Sequence, residues 1–149
     1  GRITMEKYSE MVNLGDIVDK YAKALADIND CVCLITDRDF VLAARTGDRN
    51  STLTRAVGSE VGEFLSGIMA GSANIAADKI LDRNKEIRLS LFGDIILTVT
   101  GYTIAPILNS ASECIGSVVL YSITESFNEV QHRQAKTAAT VIGKELAQA

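Results

Sequence analysis

Few side chains in this sequence can do chemistry beyond packing: three cysteines, a single histidine and scattered arginines. Cys31 and Cys33 are two apart. On a strand they share a face, the arrangement of a redox couple or half a metal site. A metal needs further ligands, and His132 falls near the far end of the chain in a helical stretch. Val32 and Leu34, the neighbours, supply no cation to hold a thiolate. Same-face strand positions also lie near the upper limit for a disulfide. The pair therefore reads as small, buried core residues. Cys114 opens a strand beside a polar loop and reads as the more exposed thiol. His132, beside Arg133 in a first helical turn, is expected to be exposed, and no Ser or Cys nucleophile stands at a matching spacing. Gly58, Gly62, Gly67 and Gly71 form no phosphate loop, because no Gly-Lys-Ser follows. Gly62 and Gly67 inside a helix cost about 1 kcal/mol each against Ala. They imply a soft helix, a close neighbour or a misplaced helix boundary. No catalytic residue, metal ligand or cofactor is assigned.

The elements that must position these residues are organised around 94–122. Asp94 to Leu108 and Cys114 to Ser122 are rich in Ile, Val, Thr and Tyr, which suit a pleated, half-buried surface. The polar break Asn109-Ser110-Ala111-Ser112-Glu113 folds them into an antiparallel hairpin. Ile115, Val118, Val119 and Leu120 project to both faces, so this hairpin is expected at the centre of a sheet covered on both sides. Cys31–Thr36 and Phe40–Ala44 predict a second hairpin around Asp37-Arg38-Asp39. Glu86 to Phe92 alternates polar and apolar, as an edge strand does.

Leu14, Ile17, Val18, Tyr21, Leu25 and Ile28 recur at helical spacing over 14–28, with Asn13 as cap. A second helix is expected from a Ser59 cap, with Phe64, Leu65, Ile68 and Met69 on one side and Gly71 ending it at positive φ. A last helix is expected from Ser126, with Ser126 and Glu129 as a capping box. Ser51 is a further candidate cap. Ser72–Asp82 is a short strand or a helical turn, and Arg83–Lys85 a turn. Residues 1–8 alternate like one strand, joined through 9–13. The fold class is α+β.

A chain of 149 residues is one ordinary domain. Net charge is −4 without a basic run, which makes these residues a poor binder of nucleic acid or anionic membrane. No apolar run reaches the roughly 18 residues that span a bilayer. An odd, low cysteine count points to a reducing cytoplasm.

Together the elements resemble a GAF domain, the small-molecule sensor fold of five to six antiparallel strands with helices on both faces. Several motifs are also similar to the C-terminal half of the stage V sporulation protein T family of bacterial regulators. They are Lys7-Tyr8-Ser9, Leu14-Gly15-Asp16 and Lys20-Tyr21-Ala22-Lys23-Ala24-Leu25 near the start, then Asp37-Arg38-Asp39. Tyr102-Thr103-Ile104-Ala105-Pro106-Ile107, Ile115-Gly116-Ser117-Val118-Val119 and Glu129-Val130-Gln131-His132 complete the set. The likeness covers nearly the whole chain outside roughly residues 48–95. It implies that 14–149 is a GAF-like regulatory domain and 9–13 a linker. Residues 1–8 would then be the remnant of an AbrB-like DNA-binding domain, through which alone DNA is contacted.

The function expected is a ligand-sensing and oligomerisation domain of a transcription factor controlling sporulation genes, not an enzyme. The alternatives are a free methionine sulfoxide reductase, since some GAF domains use cysteines this way, and a ligand-free oligomerisation module. The expected ligand, an unidentified small molecule, lies between one sheet face and the segment 59–92. Phe64 and Ile68 would be its apolar walls, and Arg45 or Arg88 an anion anchor. Which sheet face looks toward it is left open between Tyr102 with Ile104 and Thr103 with Ala105. The chain is expected to form a homo-oligomer, a dimer through its terminal helices. Ile17, Tyr21, Ala135, Ala138, Ala139 and Ile142 would lie at that interface.

Overall fold

The first apolar stripe forms a helix over Gly15–Asn29 (α1). Asn13 does not cap it. The preceding residues wind into a 3₁₀ turn over Glu10–Leu14, and no side chain bonds the first helical turn. The computed structural model describes residues 10–47, 56–71 and 86–148. The strand expected over 1–8, the cap at Ser51 and the segment 72–85 lie outside the described residues.

Asp30 ends α1 in the left-handed region, at φ 47°. The chain then enters a hairpin of Val32–Asp37 (β1) and Val41–Thr46 (β2). Asp37 makes its turn: the carboxylate Oδ1 accepts the backbone N–H groups of Asp39 and Phe40, both at 2.7 Å.

The helix expected from Ser59 starts later, at Glu63–Ala70 (α2). Residues 59–61 are instead drawn out against neighbouring strands, where Val41 N–H donates to the Ser59 carbonyl at 2.9 Å and Val61 bridges Phe92. Gly62 therefore sits just before the helix. A Cβ there would collide with the Ser90 carbonyl, so the glycine permits a close backbone approach. Gly71 ends α2 at φ −94°, not at positive φ.

Ile87–Leu89 (β3) and Leu97–Val99 (β4) pair with each other, apart from the main sheet. The long arm read from 94 to 108 is broken at Thr100. Its hydroxyl donates to the Ser122 and Glu125 carbonyls at 3.2 and 2.8 Å, and this pins a bend. Gly101–Leu108 (β5) and Cys114–Ser122 (β6) then form the expected hairpin, closed by Asn109 accepting from Ala111 N–H and Glu113 N–H. The main sheet is antiparallel in the order β2-β1-β6-β5. Among the described residues the strands thus divide into a sheet of four and a pair, and β5 lies at the end of the sheet order where a centre was expected.

The last helix is Glu129–Gln148 (α3). Its capping box is shifted by two residues from the one read in the sequence. Asn128 Oδ1 accepts Val130 N–H at 2.8 Å, and Gln131 Oε1 accepts Asn128 N–H at 2.9 Å.

The sheet separates two cores. On one face Val18, Ala22 and Leu25 of α1 and Ala135, Ala139 and Ile142 of α3 cover Cys33, Ile35, Val118 and Leu120. On the other, Leu65 and Met69 of α2, with Leu89, Leu91 and Val99, cover Leu34, Ile104 and Val119.

Candidate functional site

Strand alternation decides which residues face which core. Tyr102 and Ile104 of β5 point toward α2. Ala105 points toward the long helices, and Thr103 bonds His132 of α3 at 2.9 Å. The crossing segment 61–69 therefore lies over the face carrying Tyr102. His132 is half-buried between α3 and β5 rather than exposed.

α2 lays Phe64 and Ile68, one helical turn apart, over this face. Phe64 meets Tyr102 edge-on, with centroids 6.0 Å apart and planes at 77°. Beside the start of α2 a groove of about 650 Å³ opens between 59–63 and the segment holding Ser90 and 93–96. Its lining is acidic at Glu60, Glu63 and Asp94 and apolar at Val61, Ile95 and Ile96. Ile95 and Ile96 are about half exposed. Sequence reading missed them, because two adjacent isoleucines look like buried strand until the bend at Thr100 takes that strand out of the sheet.

The arginines do not converge here. Arg88 is exposed on β3, between Ile87 and Leu89, which pack inward. Arg45 lies across the sheet, where its guanidinium grips Asp19 of α1 with bonds of 2.9 and 2.6 Å. That grip holds the Asp19 carboxyl below its usual range.

Cys31 and Cys33 are buried, free thiols facing the long helices. Burial, assisted by the Asp30 carboxylate, pushes Cys31 up to about 12, and burial pushes Cys33 well above its ordinary value. Both stay protonated at neutral pH, which is the opposite of what a nucleophilic thiol needs. Cys114 is buried too, and its thiol donates to the Gly116 carbonyl at 3.2 Å. Among the described residues no group of three or more His, Cys, Asp or Glu side chains is placed to hold a metal ion. No helix among them is long and apolar enough to cross a membrane.

The residues read as an interface divide. Ile17 and Tyr21 are half-buried at the margin of the first core. Ala135, Ala138, Ala139 and Ile142 are buried inside it, against their own sheet. The exposed surface of α1 and α3 carries Lys20, Lys23, Ile28, Val130 and Lys136 instead.

An antiparallel sheet with two long helices on one face and short elements on the other defines a GAF fold, and solved GAF domains share it. That of the nutrient sensor CodY from Clostridium difficile aligns with a TM-score of 0.58 at 18% identity, covering 86% of this chain and 83% of that one. The GAF domain of an Acinetobacter phosphoenolpyruvate-protein phosphotransferase gives 0.62 at 16% identity, covering 91% and 83%. The blue-light absorbing PixJ GAF domain of Thermosynechococcus elongatus gives 0.59 at 11%, covering 93% and 88%.

Within that class the chain belongs to the family described as stage V sporulation protein T C-terminal, transcription factor, whose pattern matches residues 13–147. It is 27% identical over 148 residues to Stage V sporulation protein T of Bacillus subtilis (strain 168), covering 99% of this chain and 77% of that protein.

Proposed function

We propose that this domain senses a small molecule and self-associates as the regulatory part of a cytoplasmic transcription factor controlling sporulation genes. DNA contact is assigned to another part of that regulator, in keeping with the net charge of −4 and the lack of a basic run here. The observation that carries the reading is the asymmetry of the sheet. One face is sealed by two long helices, while the other, among the described residues, is roofed by short elements beside an open groove. The CodY domain of the same fold is a cofactor-binding GAF domain of a nutrient sensor, which supports the sensing role. Self-association through α1 and α3 would use the outer surface of those helices, with Ile17 and Tyr21 at its margin.

A thermal-shift screen of amino acids, nucleotides, small carboxylates and uncharged amides and esters tests sensing. At least one class is expected to stabilise the protein, with the effect lost in Phe64→Ala and kept in Arg45→Ala. A screen without any stabilising compound rejects sensing. Sedimentation at micromolar concentration is expected to show a dimer, and a monomer alone rejects self-association. Tight, sequence-selective DNA binding by these residues would contradict the division of labour.

A further inference from the structure

Buried polar side chains in this domain are matched with partners. Thr36 and Ser117 share a hydrogen bond of 2.7 Å, and Thr103 bonds His132 at 2.9 Å. Asp37 and Ser122 each accept two backbone N–H groups. Tyr102 and Tyr121 break the pattern. They are only 2% and 3% exposed, yet neither phenol makes a hydrogen bond among the described residues. The two are direct cross-strand partners on β5 and β6, so both side chains leave the sheet on the α2 face. Leaving a buried hydroxyl unpaired costs folding free energy, and native structures hold few. Phenylalanine at both positions would keep the ring packing, including the edge contact with Phe64, without that cost.

We propose that Tyr102 and Tyr121 form the hydrogen-bonding floor of a ligand site on the α2 face, and that its ligand is an uncharged, mainly apolar small molecule carrying one or two acceptor oxygens. This rests on the sensing role proposed above. Desolvation raises the titration of both phenols, that of Tyr121 to about 12, so at neutral pH both remain O–H donors. The surrounding core is aliphatic and aromatic. Among the described residues no cation faces it, since Arg88 is exposed on β3 and Arg45 lies beyond the sheet. Among the described residues an ionised carboxylate would be buried there without a counter-charge. A carbonyl on an apolar body accepts from both phenols with no such penalty.

The test uses the whole 149-residue chain, the double variant Tyr102→Phe/Tyr121→Phe and three probes of one shape: N-acetyl-leucinamide (neutral), N-acetyl-leucine (anionic) and leucinamide (cationic). Without probe, the double variant is expected to melt at or above the wild-type temperature. With probe, only the neutral amide is expected to stabilise the wild type, and its affinity should fall about tenfold or more in the variant. A variant that melts below wild type would give the hydroxyls a structural partner, such as an ordered water, and overturn the proposal. So would the absence of a shift with the neutral probe. Stabilisation by a charged probe that persists in the variant would overturn this site while leaving the sensing role standing.

Discussion

The two faces of the sheet are built from different material. The face under α1 and α3 is covered by helices of 15 and 20 residues and is rich in small side chains, Ala22, Ala26, Cys33, Ala105, Ala135 and Ala139, set among larger ones such as Leu25, Ile107 and Phe127. Small residues bring backbones close. At Gly143 a Cβ would meet the Leu108 carbonyl, so α3 lies almost on β5. Among the described residues the opposite face is covered by a helix of 8 residues and strands of 3, and its core is mostly of larger side chains: Leu, Val, Met, Phe and Tyr. Close packing of small groups leaves little freedom to rearrange. Large side chains under short elements can be displaced or re-paired at lower cost. The difference suggests that one face sets stability and the other is free for recognition.

Substitutions sharpen that contrast in order of expected size. Ile142→Ala on α3, fully buried, should cost about 3–4 kcal/mol in urea unfolding. A loss below about 1 kcal/mol would mean that the helix face can collapse around a cavity after all, and the contrast would break. Gly62→Ala presses a methyl on the Ser90 carbonyl beside the groove and should cost about 1–3 kcal/mol, with α2 displaced. If instead it is neutral, the roof of the recognition face is even looser than its short elements suggest.

Cys33→Ala should cost about 1 kcal/mol through lost packing alone. The thiols on this face also predict an alkaline limit. Cys31 keeps its proton in the folded state up to about 12, against an ordinary 9.0. Its stabilisation is therefore complete below pH 9 and is lost between pH 9 and about 12, as the unfolded chain ionises first. Urea unfolding at pH 8 and pH 10.5 should show a smaller drop for Cys31→Ala than for wild type; equal drops would sink the assignment.

The smallest effect expected is that of Arg45→Ala. The Arg45–Asp19 pair is bidentate, but its side chains are 44% and 42% exposed, so its loss should cost less than about 1 kcal/mol. Asp19 is held below its ordinary 3.8, so whatever the pair contributes is present above that pH and fades as pH falls through the lowered value. A larger loss would show that the helix face depends on this surface clasp.

Periodicity and composition alone determined that this chain has two hairpins, three helical stretches with apolar stripes, and strands too apolar to be wet on either side. These are local properties, because each follows from side-chain spacing over a few residues. The cysteines read as core for the same reason: Val32 and Leu34 beside them announce a buried strand. Only tertiary contacts decided the rest. Whether 94–108 is one strand or two depends on Thr100 reaching carbonyls of Ser122 and Glu125, far along the chain. Whether Arg45 faces a ligand or a helix depends on which side of β2 α1 packs, and Asp19 answers it. His132 and Cys114 looked exposed because their neighbours in sequence are polar. Both are covered by groups that are local only in space: β5 in one case, the second core in the other. The unpaired phenols are the extreme case. Tyr102 and Tyr121 are ordinary strand residues in sequence, and only the register of β5 on β6 makes them cross-strand partners on one face, with hydroxyls unmet among the described residues.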